Sequence, residues 1–160
     1  MIRRGSVADL EQILAVENAC FATDRMDAAE YRRYLARGAS EVWVIARRRR
    51  IAATLVLARR ARAHSLRVYS IAVHPDHRGH GLARRLMQQA IARARTLGMD
   101  RLTLEVRPDN AAAMALYASL GMRRVRELAG YYEDGASALK LALSLRRGGR
   151  GTGRATSARR

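Results

Sequence analysis

The sequence predicts a mixed α/β domain in which a central β-sheet carries helices on both faces. Segments with the pattern of strands alternate along the chain with segments of helical periodicity. The long helix between strands 66–73 and 101–106 makes a βαβ crossover, so we expect those two strands to be parallel. Apolar residues make up 49% of the 160-residue chain, which is enough for one core and one domain.

The N-terminal part is predicted to contain a short strand and two helices. Residues 2–4 have the pattern of a strand, and Ser6 is placed to cap a helix that ends near Cys20. Asp27 follows the polar connector 21–27 and caps a second helix, which we expect to stop at Gly38.

A β-hairpin is predicted next. Residues 41–46 and 51–57 are rich in β-branched and apolar residues, and the four arginines 47–50 separate them. Such a run can contact nucleic acid, but a solvated hairpin tip is the preferred interpretation.

The helix after residue 81 has an apolar stripe and ends at Gly98. The stripe consists of Leu82, Leu86, Ala90, Ala94 and Leu97. A short helix, 111–120, follows the strand 101–106 and is closed by Gly121. Strands 123–128 and 138–145 complete the predicted fold.

The chain is strongly basic, with a formal net charge of +17 and Lys140 as its only lysine. An arginine bias of this kind is typical of a GC-rich genome, and the surplus charge attracts anions of several classes. Residues 146–160 contain no core residues, so we expect a domain over 1–145 followed by a disordered basic tail.

Several other kinds of protein are disfavoured. Cys20 is the only cysteine, so no intrachain disulfide or cysteine-based metal cluster is expected. His74, His77 and His80 share one loop but lack the carboxylates typical of a zinc site, so no metal is predicted. The N-terminus lacks the pattern of a signal peptide, and the longest apolar run, 51–58, is too short to span a bilayer. We therefore expect a soluble cytoplasmic protein with no membrane contact.

The segment 71–83 predicts an anion-binding turn between a buried strand and a helix. The first N–H groups of a helix have no internal partner, and the helix dipole favours negative charge there. Gly79 and Gly81 allow a tight turn and a close approach of the backbone to a ligand. The spacing matches neither the dinucleotide fingerprint nor the P-loop.

Three motifs in order carry a resemblance to a known family. They are Arg78-x-x-Gly81-x-Ala83, then Leu104-Glu105-Val106-Arg107-x-x-Asn110-x-x-Ala113-x-x-Leu116-Tyr117-x-x-x-Gly121, then Tyr131-Tyr132-Glu133-Asp134-Gly135. Together they resemble the GNAT N-acetyltransferases, in particular the branch that acetylates the N-termini of ribosomal proteins. The motifs span about residues 69–143, roughly half the chain.

The resemblance implies a GNAT-like fold, with a mostly antiparallel mixed sheet and a splayed parallel strand pair. It implies acetyl-CoA as the acetyl donor and no metal. The residues expected to bind acetyl-CoA are Ile71, Ala72, Val73, Arg78, Gly79, His80, Gly81, Leu82, Ala83, Arg84, Asn110 and Tyr117.

The resemblance also assigns catalytic roles, with Glu105 as general base and Tyr117 as general acid. Glu105 is expected on the strand face opposite Leu102 and Leu104, or where the two parallel strands splay, and a carboxylate there can accept a proton from an ammonium group directly or through water. Asn110 and Tyr117 are two helical turns apart and therefore share one face of the short helix. Direct attack by the amine in a ternary complex is expected, because Cys20 lies outside the motifs.

The acceptor is the open question. Phe21, Asp24, Tyr131 and Tyr132 are expected to line its groove, and a protein or peptide N-terminus is preferred because an α-amino group has a lower pKa than lysine. The connector 21–27 and Met122 depart from the pattern of the ribosomal branch. The alternatives are a small amine or lysine acceptor, a protein that binds the ribosome or nucleic acid through its basic tail, and a non-catalytic acetyl-CoA sensor.

Overall fold

The computed structural model describes residues 1–36 and 38–146, and these residues form a seven-stranded sheet with four α-helices. The strands are β1 (Ile2–Arg4), β2 (Ser40–Arg47), β3 (Arg50–Arg60), β4 (Ser65–Val73), β5 (Arg101–Val106), β6 (Arg123–Leu128) and β7 (Ala138–Ser144). The helices are α1 (Leu10–Cys20), α2 (Ala28–Leu35), α3 (Leu82–Thr96) and α4 (Ala111–Ser119).

The strand order in the sheet is β1-β2-β3-β4-β5-β7-β6. Only β4 and β5 are parallel within the described sheet, and α3 connects them as the crossover required. The predicted fold class is confirmed in both its mostly antiparallel sheet and its parallel pair.

Helix boundaries differ from the prediction at two places. A 3-10 turn, Val7–Asp9, precedes α1, because the carboxylate of Asp9 accepts the Ser6 N–H at 2.8 Å and closes this first turn. Helix α2 ends at Leu35 and not at Gly38, since Ala36 already has an extended backbone with ψ of 151°. Asp27 caps α2 as predicted, and its side chain accepts the Glu30 N–H at 2.8 Å.

The β2–β3 hairpin is also confirmed. Its turn contains Arg48 and Arg49, both with positive φ angles (47° and 64°), and both side chains are exposed. The arginine run therefore forms a solvated hairpin tip.

Two apolar clusters lie on the two faces of the sheet. The larger packs α3 and α4 against the central strands and includes Leu55, Leu86, Leu104 and Tyr117. The smaller packs α1 and α2 against β2, β3 and β4 and includes Ile13 and Tyr31. Helices on both faces leave the C-terminal ends of β4 and β5 as the place where a ligand can enter.

Two further predictions concern membrane contact and the C-terminal tail. Within the described residues, no helix has the length and apolar composition needed to cross a membrane. The predicted tail 146–160 lies outside the described residues except for Arg146, whose guanidinium is 2.8 Å from Asp100 Oδ2.

Candidate active site

Strands β4 and β5 separate in the middle of the sheet. Their parallel pairing runs from Ser65 opposite Arg101 to Val68 opposite Leu104 and goes no further in the described structure. At the same level the register between β4 and β3 shifts, because Leu57 faces Val68 while Val56 faces Ser70. This bulge at Tyr69 bends β4 away from β5 and opens a gap between the two strands.

The end of β4 turns backbone groups toward this gap. The His74 N–H donates to the Ala52 carbonyl on β3 at 2.8 Å. Because backbone groups alternate along a strand, the N–H groups of Val73 and Ile71 point the other way, toward the gap. The Val73 carbonyl accepts from the Arg78 Nε–H and the Cys20 thiol, both at 3.2 Å.

The Gly-rich turn has the geometry of an anion site. Gly79 and Gly81 have φ angles of 81° and 72°, which other residues rarely adopt, and Gly81 is the N-cap of α3. The first helical bond is donated by Arg85 to the Gly81 carbonyl at 3.1 Å. In the part of the chain that the structure describes, the N–H groups of residues 79–84 have no acceptor. N–H groups of this kind at a helix N-terminus can bind an anionic group such as a phosphate.

One of the histidines beside this turn, His74, has a structural role. His74 Nδ1 accepts the Asp76 N–H at 3.1 Å and caps the 3-10 turn Pro75–His77. Among residues 1–36 and 38–146, no group of three or more His, Cys, Asp or Glu side chains is placed to hold a metal ion.

Glu105 lies where β5 leaves β4, and Arg67 holds it there. Arg67 Nε is 3.0 Å from Glu105 Oε2, and both side chains are largely buried. The guanidinium also donates to the Tyr131 hydroxyl at 2.8 Å. Burial acts to lower the pKa of Arg67, but the charge and hydrogen bond of Glu105, together with Tyr131 and Tyr69, raise it by more. The pair therefore positions the candidate base.

Sequence reasoning did not identify Arg67. The sequence pattern that could have found it is the alternation of side chains along β4. This alternation places Arg67 on the same sheet face as Glu105, while Leu66 and Val68 lie on the other face. The contact between Arg67 and Glu105 is diagonal, because Thr103 and not Glu105 is the register partner of Arg67. It therefore depends on the register of the two strands.

Tyr117 lies on α4 and Asn110 directly before it, and α4 packs on the sheet face opposite Glu105. Tyr117 is 5% exposed, and burial raises the pKa of its hydroxyl to about 12, with Tyr132 nearby adding to the shift. Asn110 caps α4, since its side-chain oxygen accepts the Ala113 N–H at 3.2 Å. Arg84, at the start of α3, donates to the Ser119 hydroxyl at 2.9 Å and joins α3 to α4.

Two loops meet in front of the gap. The Asp24 N–H donates to a Glu133 carboxylate oxygen at 3.3 Å, and the Glu133 N–H donates to Asp24 Oδ1 at 3.2 Å. Arg107 is 2.9 Å from Asp134 Oδ2 and 3.8 Å from Asp24 Oδ2, so the connector 21–27 and the β6–β7 loop are held together.

The aromatic residues of the site gather in the β6–β7 loop. Tyr131 and Tyr132 contact each other edge to face, and the Arg107 guanidinium lies 4.1 Å from the centre of the Tyr132 ring. Burial raises the pKa of Tyr132 to about 12. Of the predicted acceptor residues, Asp24, Tyr131 and Tyr132 come together here, whereas Phe21 packs against the apolar cluster under α1 and α2.

A further residue that sequence reasoning missed supports the connector from below. Glu17 is 1% exposed, and its two carboxylate oxygens accept the Met26 N–H at 2.9 Å and the Tyr31 hydroxyl at 2.8 Å. In the sequence it is one more polar residue in a helix, and no local pattern marks it as buried.

A mixed sheet that opens between two parallel strands, with an anion-binding turn at the end of one strand, defines a fold of the GNAT type. The match to the family model described as "Acetyltransferase (GNAT) family" covers residues 8–122. The chain therefore belongs to the GNAT acetyltransferase family, as the motifs predicted.

Relatives and solved structures agree with this membership. Residues of this chain are 45% identical over 65 positions to the ribosomal protein bS18-alanine N-acetyltransferase of Salmonella typhimurium, covering 41% of this chain and 44% of that protein. They are 36% identical over 75 positions to N-alpha-acetyltransferase 30 of Saccharomyces cerevisiae, covering 47% and 43%. The chain thus spans less than half the length of these curated relatives.

The structural likeness extends over the whole described fold. The ribosomal-protein-S18-alanine N-acetyltransferase from Escherichia coli superposes with a TM-score of 0.83 at 27% identity, over 94% of this chain and 97% of that one. The NatC complex bound to Gag peptide and CoA has a TM-score of 0.78 at 22% identity, over 91% of this chain and 98% of that one, and supports the fold alone.

Proposed function

We propose that this protein transfers the acetyl group of acetyl-CoA to the α-amino group of a protein or peptide N-terminus. The observation that carries the proposal is the gap between β4 and β5, which has Glu105 on one strand and, on the other, the N–H groups of Ile71 and Val73, which strand alternation turns away from β3. A donor and an amine can meet in such a gap without a covalent acetyl-enzyme.

Residues at the end of β4 and the start of α3 are proposed to bind the donor. Acetyl-CoA supplies an activated acetyl group. The N–H groups of residues 79–84 bind its pyrophosphate, and the turned-out N–H groups of β4 pair with its pantetheine arm. The side-chain amide of Asn110 keeps its N–H donors for the same ligand while its oxygen caps α4.

Glu105 is proposed to take the proton that the acceptor ammonium loses. Arg67 engages only Oε2 among the described residues, so Oε1 faces the amine or a bridging water. A backbone N–H near Val73 stabilises negative charge on the thioester oxygen. As the new C–N bond forms and the C–S bond breaks, the leaving sulfur carries the negative charge.

Tyr117 is proposed to donate its proton to that sulfur. Its hydroxyl has a pKa of about 12, so it stays protonated at neutral pH. A free thiol has a pKa of about 8.5, so a thiolate released at neutral pH tends to take up a proton. Because the phenol is the weaker acid of the two, its donation to the sulfur is coupled to reprotonation of the Tyr117 oxygen by solvent, and the two transfers together complete the exchange in the ternary complex.

An α-amino group is favoured over lysine because its usual pKa is about 8, against about 10.4 for a lysine side chain. One carboxylate is then enough to deprotonate it. The relatives whose names specify N-terminal or alanine acetylation support the same acceptor class. We extend the proposal to a catalytic domain over residues 1–145 and a cytoplasmic location.

The test is acetyl transfer by the purified full chain with three acceptors: a peptide with a free N-terminus, an N-terminally blocked lysine peptide and a polyamine. Mass spectrometry reports which amine gains the acetyl group. We expect the free N-terminus to react fastest, and Tyr117→Phe should react more slowly with it. Faster reaction of the blocked peptide or the polyamine contradicts the acceptor class. No transfer to any amine, although acetyl-CoA binds, contradicts the enzymatic function.

A further inference from the structure

On the sheet face that carries Glu105, helices α1 and α2 do not cover the half formed by β5, β6 and β7. The apolar cluster under α1 and α2 takes its sheet residues from β2, β3 and β4, such as Val44, Val56 and Ala72. In the described chain, no residue of β5, β6 or β7 belongs to that cluster. On this face Arg101 and Arg126 are exposed and Lys140 is half-buried, whereas Thr103 and Ala138 are buried.

A basic groove of about 310 Å³ lies on this face and ends at Glu105. We use the term basic groove for the surface formed by Arg60, Arg67, Arg101, Arg126 and Lys140. Lys140 is the register partner of Glu105 on β5 and of Arg126 on β6, so the three side chains form a row across the sheet.

The positive charge of the basic groove is mostly uncompensated. Glu105 is its one carboxylate within the described chain, and Arg67 is already paired with it. Among the described residues, Arg60, Arg101, Arg126 and Lys140 form no salt bridge. A groove with this surplus attracts anionic groups and repels cationic ones.

We infer that the basic groove binds acidic side chains in the first residues of the acceptor polypeptide, an inference that rests on the proposed function. The groove leads to Glu105, the candidate proton acceptor, so its ligand must carry an amine that can reach this carboxylate. Nucleic acid has no aliphatic amine, whereas a polypeptide has its N-terminus. No aromatic side chain of residues 1–36 and 38–146 lines the groove itself. Tyr69 and Tyr131 lie against Arg67 at its Glu105 end, so a stacking surface for single-stranded nucleic acid does not extend along the groove.

The length of the basic groove sets where the acidic residues fall. Glu105 and Arg101 are four residues apart on β5, which corresponds to roughly 13 Å at about 3.3 Å per residue. An extended acceptor with its amine at Glu105 therefore places its second to fifth residues along the groove.

The experiment compares three peptides that share an N-terminal alanine and differ at positions two to five. These positions hold glutamate, glutamine or arginine, and arginine is chosen because lysine would add a second amine. With the full chain and acetyl-CoA, we expect kcat/KM for the glutamate peptide to exceed that for the arginine peptide by about tenfold at low salt. The difference should shrink as the salt concentration rises.

The variant pair Arg126→Gln and Lys140→Gln tests whether the acidic residues of the peptide bind in the basic groove. In the double variant, the ratio of kcat/KM between the glutamate and glutamine peptides should fall several-fold, mainly through KM. The matched control is Arg95→Gln with Arg124→Gln, which removes the same charge from exposed positions outside the groove. The control should keep the wild-type ratio.

The outcomes separate this inference from the proposed function. Equal rates for the three peptides, or the same loss of preference in the control, overturn the inference and leave N-terminal acetylation standing. Inhibition by a single-stranded RNA without any effect of peptide charge assigns the groove to nucleic acid and also overturns it. No transfer to any of the peptides contradicts the proposed function and the inference together.

Discussion

Arg67 Nε and Glu105 Oε2 are 3.0 Å apart, and this ion pair bridges β4 and β5 at the level where the two strands separate. The guanidinium also donates to the Tyr131 hydroxyl, so one side chain connects the candidate base with the loop that is proposed to face the acceptor. The orientation of Glu105 is therefore coupled to the position of the β6–β7 loop.

The first prediction concerns this pair. Arg67→Gln should lower kcat/KM for the acceptor by about 10- to 100-fold, because the carboxylate loses the group that orients it. The dissociation constant of acetyl-CoA should stay unchanged. Arg67→Lys keeps the charge, but a lysine cannot bind Glu105 and Tyr131 at the same time in the geometry of the guanidinium. It should therefore recover only part of the activity. Full activity in the glutamine variant would show that Arg67 does not position Glu105.

The second prediction tests Glu105 as the base. Glu105→Gln should reduce turnover by about 100-fold or more at pH 7, since general-base catalysis typically contributes roughly 10²- to 10⁴-fold. The loss should become smaller toward pH 9, where more of the acceptor's α-amino group, with a usual pKa of about 8, is already neutral. A loss that is constant from pH 7 to pH 9 contradicts the base role. The measurement is the pH dependence of kcat/KM.

The third prediction tests Tyr117 as the acid. Tyr117→Phe removes only the hydroxyl of a side chain that is 5% exposed, so packing in the core is retained. We expect kcat to fall about tenfold or more with little change in acetyl-CoA affinity, measured by calorimetry. An acetyl donor whose leaving group needs no protonation should restore much of the rate. Unchanged kcat with acetyl-CoA removes the acid role.

The fourth prediction is a pH dependence of stability far from the site. Hydrogen bonds from Arg3 hold the pKa of Asp9 at about 2, below its usual value of 3.8, although partial burial acts in the opposite direction. A lowered folded-state pKa stabilises the fold above the unfolded value, and this stabilisation is lost as the pH falls through about 2. Asp9→Asn should therefore lower Tm at pH 7 and have a much smaller effect near pH 2.

The control for this pH dependence is Glu11→Gln, an exposed carboxylate on α1. Its effect on Tm should be small at both pH values. A Tm difference between Asp9→Asn and wild type that is the same at pH 2 and pH 7 would contradict the role of the Arg3–Asp9 pair.

The fifth prediction concerns the buried carboxylate of Glu17. Glu17→Ala leaves the Met26 N–H and the Tyr31 hydroxyl without acceptors, which should cost about 2–4 kcal/mol of unfolding free energy. Because Met26 lies in the connector 21–27, the KM for the acceptor should rise while acetyl-CoA affinity stays the same. Glu17→Gln keeps an oxygen for one of the two donors and should lie closer to wild type in both measurements.

The sequence was sufficient for the order of helices and strands and for the Gly-rich turn between β4 and α3. Apolar periodicity located α3, and its position between two strands required β4 and β5 to be parallel. Gly79 and Gly81 marked the turn because positive φ angles are needed there, as the structure has them. These features are local in the sequence, or follow from the rule that a strand–helix–strand crossover joins parallel strands.

What sequence reasoning missed depends on contacts between distant segments. The pairing of Arg67 with Glu105 requires the register of β4 against β5 and the bulge at Tyr69. The burial of Glu17 requires α2 and the connector to close over it. The placement of β7 between β5 and β6, which brings Lys140 opposite Glu105, is a property of the whole sheet.

The reciprocal hydrogen bonds between Asp24 and Glu133 have a consequence for synthesis of the chain. One side of this clasp is made early in translation and the other only after β6 has left the ribosome. A nascent chain that has already formed the Gly79–Gly81 turn still lacks one of the two loops that the proposed acceptor entrance requires. The proposed entrance is therefore complete only when nearly the whole domain has been made.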